Sequence, residues 1–179
     1  MKMTKRNYLI LFLLALIFAA PGITAYLYYL NPQLLLAEKT NKGELLNPPV
    51  LFANIADGKL KWRLVYWYPE QCKADCLREV DKLGRIRLAL GRRLYEVDEW
   101  LVLTQTSPKT ERDLTTVLQD KDIHLLRLSP KDAAALPILG AKPKIFIADS
   151  GGYLVLAYEH TTRPVDIYND IKQLLKKSG

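Results

Sequence analysis

The sequence predicts an α/β fold: one mixed β-sheet flanked by helices, preceded by one N-terminal transmembrane helix. Three observations carry this. Residues Tyr8 to Leu30 contain no charged side chain. Beyond residue 60, short β-prone runs alternate with helical patterns. The last two strand runs are joined by Asp149-Ser150-Gly151-Gly152 and followed by an amphipathic helix. The first strands need parallel pairing with right-handed crossovers, and the final hairpin adds antiparallel strands. Helices on both faces would cover such a sheet.

A helix of the 23 residues Tyr8–Leu30 spans roughly 34 Å, enough for a bilayer core. Lys2, Lys5 and Arg6 precede it, and the next charge is Glu38. The positive-inside rule keeps residues 1–7 in the cytoplasm and puts the rest of the chain outside. Tyr26, Tyr28 and Tyr29 sit where an aromatic belt is expected. A cleaved signal peptide is the alternative, with Leu9–Ala20 as its apolar region and a cut after Ala25. The apolar run continues past Pro21-Gly22, with tyrosines where small residues would be wanted, which favours an anchor. Either way the domain is exported. In a bacterium it faces the oxidising periplasm from the inner membrane, where disulfides persist.

The 179 residues suffice for one ordinary domain plus an anchor. Net charge is +7, of which the first 30 residues contribute +3. The remaining excess is too small to argue for nucleic acid, and no basic-aromatic recognition motif accompanies it. No phosphate-cradling glycine loop, metal-hydrolase histidine pair or Ser-His-Asp arrangement is present. A hydrolase or nucleotide enzyme is not the reading.

Residues 31–60 read as linker and domain entry, rich in turn formers at Asn31-Pro32, Asn41-Lys42-Gly43 and Asn47-Pro48-Pro49. Leu45, Leu46, Val50 and Leu51 suggest that the second half lies against the domain, which runs over 61–179. Lys61–Tyr68 is a strand stopped by Pro69. Cys72 to about Val97 reads as a helix with Cys76, Val80, Leu83, Leu90, Leu94 and Val97 as its apolar stripe. Arg78, Lys82, Arg85 and Arg92 form a basic strip, a solvated face or a dock for an acidic partner. Trp100–Gln105 is the second strand. Ser107-Pro108 starts a helix to about Gln119, Ile123–Leu128 is the third strand, and Ser129-Pro130 starts a short helix that Gly140 ends. Lys144–Ala148 and Tyr153–Tyr158 are the hairpin strands. Pro164–Lys177 closes the chain, with Asp166 and Lys176 placed to suit its macrodipole.

The only two cysteines, Cys72 and Cys76, open the first domain helix. Residues at i and i+4 share a helix side, with Cα atoms about 6 Å apart, within reach of a disulfide. A helix N-terminus stabilises thiolate, more at Cys72 than at Cys76, making Cys72 the attacking thiol and Cys76 the resolving one. Paired thiolates also suit Cu(I). A purely structural disulfide is the third option, though a bridge across four residues restrains little chain. His160, after the last strand, is a candidate third metal ligand or proton acceptor, or a surface histidine. His124 opens the third strand and reads as structural. Pro143, before the fourth strand, is a candidate cis-proline beside the cysteines. Trp62, Trp67 and the tyrosines of the first strand read as core and rim.

A strand leading into a cysteine pair at a helix start, with a later β-hairpin and terminal helix, resembles the thioredoxin fold. Cys72-x-x-x-Cys76 behind a membrane anchor resembles the Sco copper chaperones that serve cytochrome c oxidase. The whole chain is most similar to small single-span proteins associated with bacterial cytochrome c oxidase assembly. The residues that carry this are Asn41-x-Gly43-x-Leu45-Leu46-x-Pro48-Pro49, Leu64-Val65-Tyr66, Cys72-x-x-x-Cys76, Arg85-x-Arg87-Leu88-Ala89-Leu90-Gly91-Arg92 and Asp149-x-x-Gly152. The resemblance implies a thioredoxin-like domain that handles copper or keeps a partner's copper-binding thiols reduced, with oxidase subunits or other assembly factors as partners. Leu77 stands where Sco proteins have proline, and Leu136–Pro143 lacks their metal-binding histidine, which tilts the reading toward thiol chemistry. A non-catalytic scaffold and a general periplasmic thiol-disulfide oxidoreductase are the rivals.

Overall fold

The computed structural model describes residues 5–30, 41–104 and 108–178. The chain divides into two compact units, residues 1–40 and 41–179. The expected turn at Asn31-Pro32, the residues Lys2 and Glu38, and the Ser107 cap lie outside the described residues.

In the first unit, α1 (Lys5–Leu30) is one helix with Pro21 inside it and no buried residue. It is long and apolar enough to cross a membrane, a property that an anchor and a signal sequence share.

The second unit is built on a six-stranded sheet of order β1-β6-β5-β2-β3-β4. Its strands are β1 (Glu44–Leu51), β2 (Trp62–Tyr68), β3 (Val97–Leu103), β4 (Ile123–Arg127), β5 (Lys144–Ala148) and β6 (Tyr153–Glu159). The helices are α2 (Ala74–Ala89), α3 (Pro108–Asp120), α4 (Pro130–Ala134) and α5 (Pro164–Ser178). β2, β3 and β4 pair in parallel, as the intervening helices require. β5 joins β2 antiparallel and β6 returns beside β5. The sheet is mixed and thioredoxin-like, as expected.

Side chains alternate across β2. Leu64 and Tyr66 enter a core with α2, α3 and α5, which buries Val80, Leu83, Leu118, Ile167 and Ile171. Val65 and Trp67 enter a second core on the opposite face. That face is covered by the 3-10 turn Ala53–Ile55 and by the segment containing Leu136 and Leu139. The second cover is therefore mostly turn and loop, where the sequence suggests helix.

Besides the early end of α4 at Ala134 and the early start of β3 at Val97, two boundaries differ from the sequence reading. The stretch read as domain entry forms β1, an edge strand antiparallel to β6, with an irregular register between Leu45 and Val50 around Asn47-Pro48-Pro49. Proline is tolerated there because an edge strand has outward N–H groups with no ladder partner to lose. The predicted helix to Val97 stops at Ala89, and Gly91–Glu96 is a 3-10 turn feeding β3. Gly91, at φ +60°, ends α2. Leu90, Leu94 and Val97 therefore do not share one helical stripe, and Arg92 leaves the basic strip of α2.

Buried cations lock these joints. Arg87 donates to the carbonyls of Val97 (2.8 Å) and Asp122 (3.2 Å) and to Asp122 Oδ2 (2.6 Å). It thereby ties the end of α2 to the start of β3 and to the turn before β4. Arg63, with no exposed surface, donates to the Asp149 carbonyl (2.6 Å) and to Asp57 Oδ1 (2.5 Å). Burial acts against the Asp57 carboxylate, but Arg63 and Lys59 together outweigh it and hold the group at about 2. Asp149 Oδ1 in turn accepts from the N–H groups of Gly151 and Tyr153, both at 2.9 Å. Gly152, at φ +85°, closes that turn, and a Cβ there would stand 3.1 Å from Phe52 O. The Asp149-x-x-Gly152 motif is thus a turn clamp.

Ser129 caps α4, its hydroxyl accepting from the Asp132 N–H at 3.1 Å. Ser129→Ala is expected to cost about 1 kcal/mol, read as a lowered urea midpoint.

Candidate functional site

β2 delivers the chain to the cysteine turn. Pro69 follows the strand, and the Thr104 hydroxyl donates to the Pro69 carbonyl, so the end of β3 holds the turn in place. The N-cap of α2 is Lys73, in extended conformation and without a side-chain cap. Cys72 therefore lies one residue before the cap, and Cys76 is the third helical residue. They are joined in a disulfide with Cα atoms 5.1 Å apart.

Both sulfurs are inside. Cys72 is 4% exposed and Cys76 has no exposed surface. They share a core with Tyr66, Val80 and Tyr158. This burial is not visible in the sequence, where a helix start suggests an open site.

Tyr66 and Tyr68 alternate onto the same face of β2, with ring centroids 5.8 Å apart. Burial, then the charge of Glu79, raises the Tyr66 hydroxyl far above its ordinary value. Burial, then Glu70 and Asp75, raises that of Tyr68. Both phenols stay protonated beside the acidic first turns of α2. Period-2 alternation was the only sequence signal for this pair.

β6 brings the chain back toward α2, where Lys82 Nζ donates to the His160 carbonyl at 3.0 Å. The His160 side chain is exposed in the turn that follows β6. Among the described residues, no three His, Cys, Asp or Glu side chains are gathered to hold a metal ion. Cys72, Cys76 and His160 are therefore not gathered as a three-ligand group here, where the two sulfurs are bonded to each other and α2 is met by the His160 carbonyl. His124 lies on β4 in register with Trp100, the rings 4.7 Å apart.

The cis peptide bond among the described residues is Asn47–Pro48, and Lys142–Pro143 is trans, as most X–Pro bonds are. The loop before β5 is held instead by Trp67 Nε1 donating to the Gly140 carbonyl at 3.1 Å. Arg78, Lys82 and Arg85 of the basic strip pair with Asp75, Glu79 and Asp81 of their own helix.

A mixed sheet with a cysteine pair between the first parallel strand and its helix defines a thioredoxin-like domain. The chain belongs to the family described as "Transmembrane-like, thioredoxin-like, C-terminal domain", whose model matches residues 62–178. It is similar to the structure of a DsbF homologue from Corynebacterium diphtheriae, at 16% identity and TM-score 0.52 over 76% of this chain and 94% of that one. It is also similar to ScoI from Arabidopsis thaliana with copper bound, at 11% identity and TM-score 0.52 over 66% and 86%. At these identities the likeness is one of fold. No curated protein matches the chain.

Proposed function

We propose that this is a membrane-anchored thiol-disulfide protein whose Cys72–Cys76 pair exchanges with a partner's thiols during cytochrome c oxidase assembly in the periplasm. The observation that carries the proposal is the closed disulfide at the head of α2 in a thioredoxin-like domain.

The step is thiol-disulfide exchange. A partner thiolate attacks Cys72 Sγ, on the cysteine that precedes α2 and keeps some exposed surface. The Cys72–Cys76 bond breaks and Cys76 leaves as thiolate. The partner's second thiol then attacks the mixed disulfide and releases Cys72. Two electrons pass from the partner dithiol into the domain, and the reverse sequence reduces a partner disulfide. The N–H groups and dipole at the start of α2 stabilise the released thiolates. The oxidase context rests on the sequence resemblance and the N-terminal apolar helix.

Copper handling is a second reading, favoured by the paired sulfurs, which in reduced form suit Cu(I). Copper would be cargo held by Cys72 and Cys76, with His160 the candidate third ligand.

Cys72→Ser combined with Cys76→Ser in the full chain is expected to abolish exchange with a dithiol substrate and to impair oxidase assembly. Unchanged assembly would overturn both chemical readings and leave a docking scaffold. A copper content near zero on the reduced protein, unaltered by His160→Ala, would eliminate the copper reading alone.

A further inference from the structure

The basic strip of α2 borders a feature that the disulfide chemistry leaves unused. A groove of about 840 Å³ runs along α2 and is closed in by α3 and α5. Val80, Ile86 and Ala89 of α2, Val117 of α3, and Val165 and Tyr168 of α5 give it an apolar lining. Val117 and Val165 are 40% and 51% exposed, so apolar side chains face solvent where packed helices normally hide them. From Leu77 to Ala89 the lining extends along roughly 18 Å of helix. That length matches about three turns of a second helix laid into the groove.

The rim is cationic. Arg78, Lys82, Arg85 and Lys121 line the groove against one carboxylate, Asp81. Arg78 and Lys82 have their own partners in Asp75 and Glu79. Arg85 and Lys121 divide Asp81 between them, Arg85 at 2.8 Å. Lys172, its Nζ 5.2 Å from the centre of the Tyr168 ring, adds a cation beside the α5 lining. Arg163 and Asp166, near Pro164, neutralise each other. With Asp75, Glu79 and Asp81 all counted, five cations meet three carboxylates. The side chains of Arg78 and Arg85 are 79% and 81% exposed, and pairs so exposed exchange partners at little cost. The groove is therefore short of anionic partners, and its cations can meet them from solvent.

We propose that this groove docks an acidic amphipathic helix of a partner protein, its apolar face on Ile86, Val117, Val165 and Tyr168 and its carboxylates on Arg85 and Lys121. A second copy of this chain does not fit, because it would set the same cations against each other. A flat anionic membrane surface would meet the rim and leave the concave apolar lining uncovered. The proposal concerns the groove alone and holds whether or not the cysteine pair exchanges.

The test is fluorescence anisotropy with the full chain in phosphatidylcholine nanodiscs, referenced to empty nanodiscs. The probe is a labelled, helix-stapled peptide of about three to four turns, with leucines spaced three and four apart and glutamates on its other faces. Saturable binding is expected, at least tenfold weaker when lysines replace the glutamates. Arg85→Gln combined with Lys121→Gln should weaken binding of the glutamate peptide at least fivefold. Val165→Asp puts a carboxylate into the apolar lining in the first turn of α5, where a helix accepts an acid, so it should fold and still lose at least tenfold. Absence of saturable binding to the parent protein, equal binding of the lysine peptide, or unchanged affinity in Val165→Asp would overturn the proposal. Binding of phosphatidylglycerol vesicles in place of the peptide would assign the rim to a membrane surface and overturn it as well.

Discussion

Replacing Asp170 by alanine is expected to destabilise the domain by about 3–5 kcal/mol, measured as the loss of unfolding free energy in urea. Asp170 lies on α5 and is 2% exposed. Its Oδ2 accepts from the backbone N–H groups of Lys42 (2.7 Å) and Gly43 (2.8 Å) and from the Tyr158 hydroxyl (2.8 Å). One side chain therefore fastens the entry to β1 and the end of β6 to the last helix. Removing it strands three donors, the Gly43 N–H and the Tyr158 hydroxyl in buried surroundings. The site cannot repack easily, because Gly43 sits against the Tyr158 ring so closely that an added Cβ would be 2.5 Å from it. Asp170→Asn keeps an acceptor and should lose less, and Tyr158→Phe, which removes one donor, about 1 kcal/mol. Hydrogen exchange of the Lys42 and Gly43 amides should accelerate in the alanine variant before the rest of the domain opens. A destabilisation below about 1 kcal/mol, or unchanged exchange at those amides, would contradict this account.

The same node shows which parts of the architecture were legible in the sequence. β2 to β6 were readable because β-branched and aromatic runs between turn residues signal strands locally. β1 was not: Asn47-Pro48-Pro49 reads as turn, and what makes Glu44–Leu51 a strand is pairing with β6 more than 100 residues away. Asp170 and Gly43 are 127 positions apart and carry no local mark of their contact. Arg63 looks like the polar member of an alternating strand, yet it is fully buried because Asp57 and the Asp149 turn close around it. The end of α2 was misplaced because leucines spaced three or four apart satisfy a helical pattern even when the backbone has tightened to 3-10 after Gly91. For the site, the cysteine pair and its strand-to-helix setting were readable from two residues and a proline. Its burial was not, because the core it joins gathers side chains from β6 and α5, far along the chain. The trans Pro143 and the exposed His160 likewise depend on how distant turns settle.

Glu99 should make stability fall as pH rises across neutrality. Its folded-state carboxyl is pushed from an ordinary 4.5 to about 8, chiefly by burial. Between those values the folded state holds a proton that the unfolded state has released, so unfolding becomes easier with each step up in pH. The contribution is fully favourable below about 4.5, declines through the window and levels off above about 8. At roughly 1.4 kcal/mol per pKa unit, the decline is on the order of 5 kcal/mol. Other shifted carboxyls act elsewhere on the scale. Asp57 and Asp122 are lowered by Arg63 and Arg87, so their contributions are lost only as pH falls below the ordinary carboxylate range. Tyr66 and Tyr158 are raised and stay protonated throughout the window. Glu99→Gln cannot ionise, so its stability should be nearly flat from pH 5.5 to 9, close to that of the parent protein at the acid end and higher by a few kcal/mol at the alkaline end. Urea unfolding of both proteins at the two pH values measures this, and an equal gap at both would assign the slope to another group. Gly84→Ala, inside α2 and with its added Cβ at an ordinary 3.7 Å from Glu99 Oε2, should raise stability by up to about 1 kcal/mol through helix propensity at pH 5.5 and retain the parent's fall at pH 9.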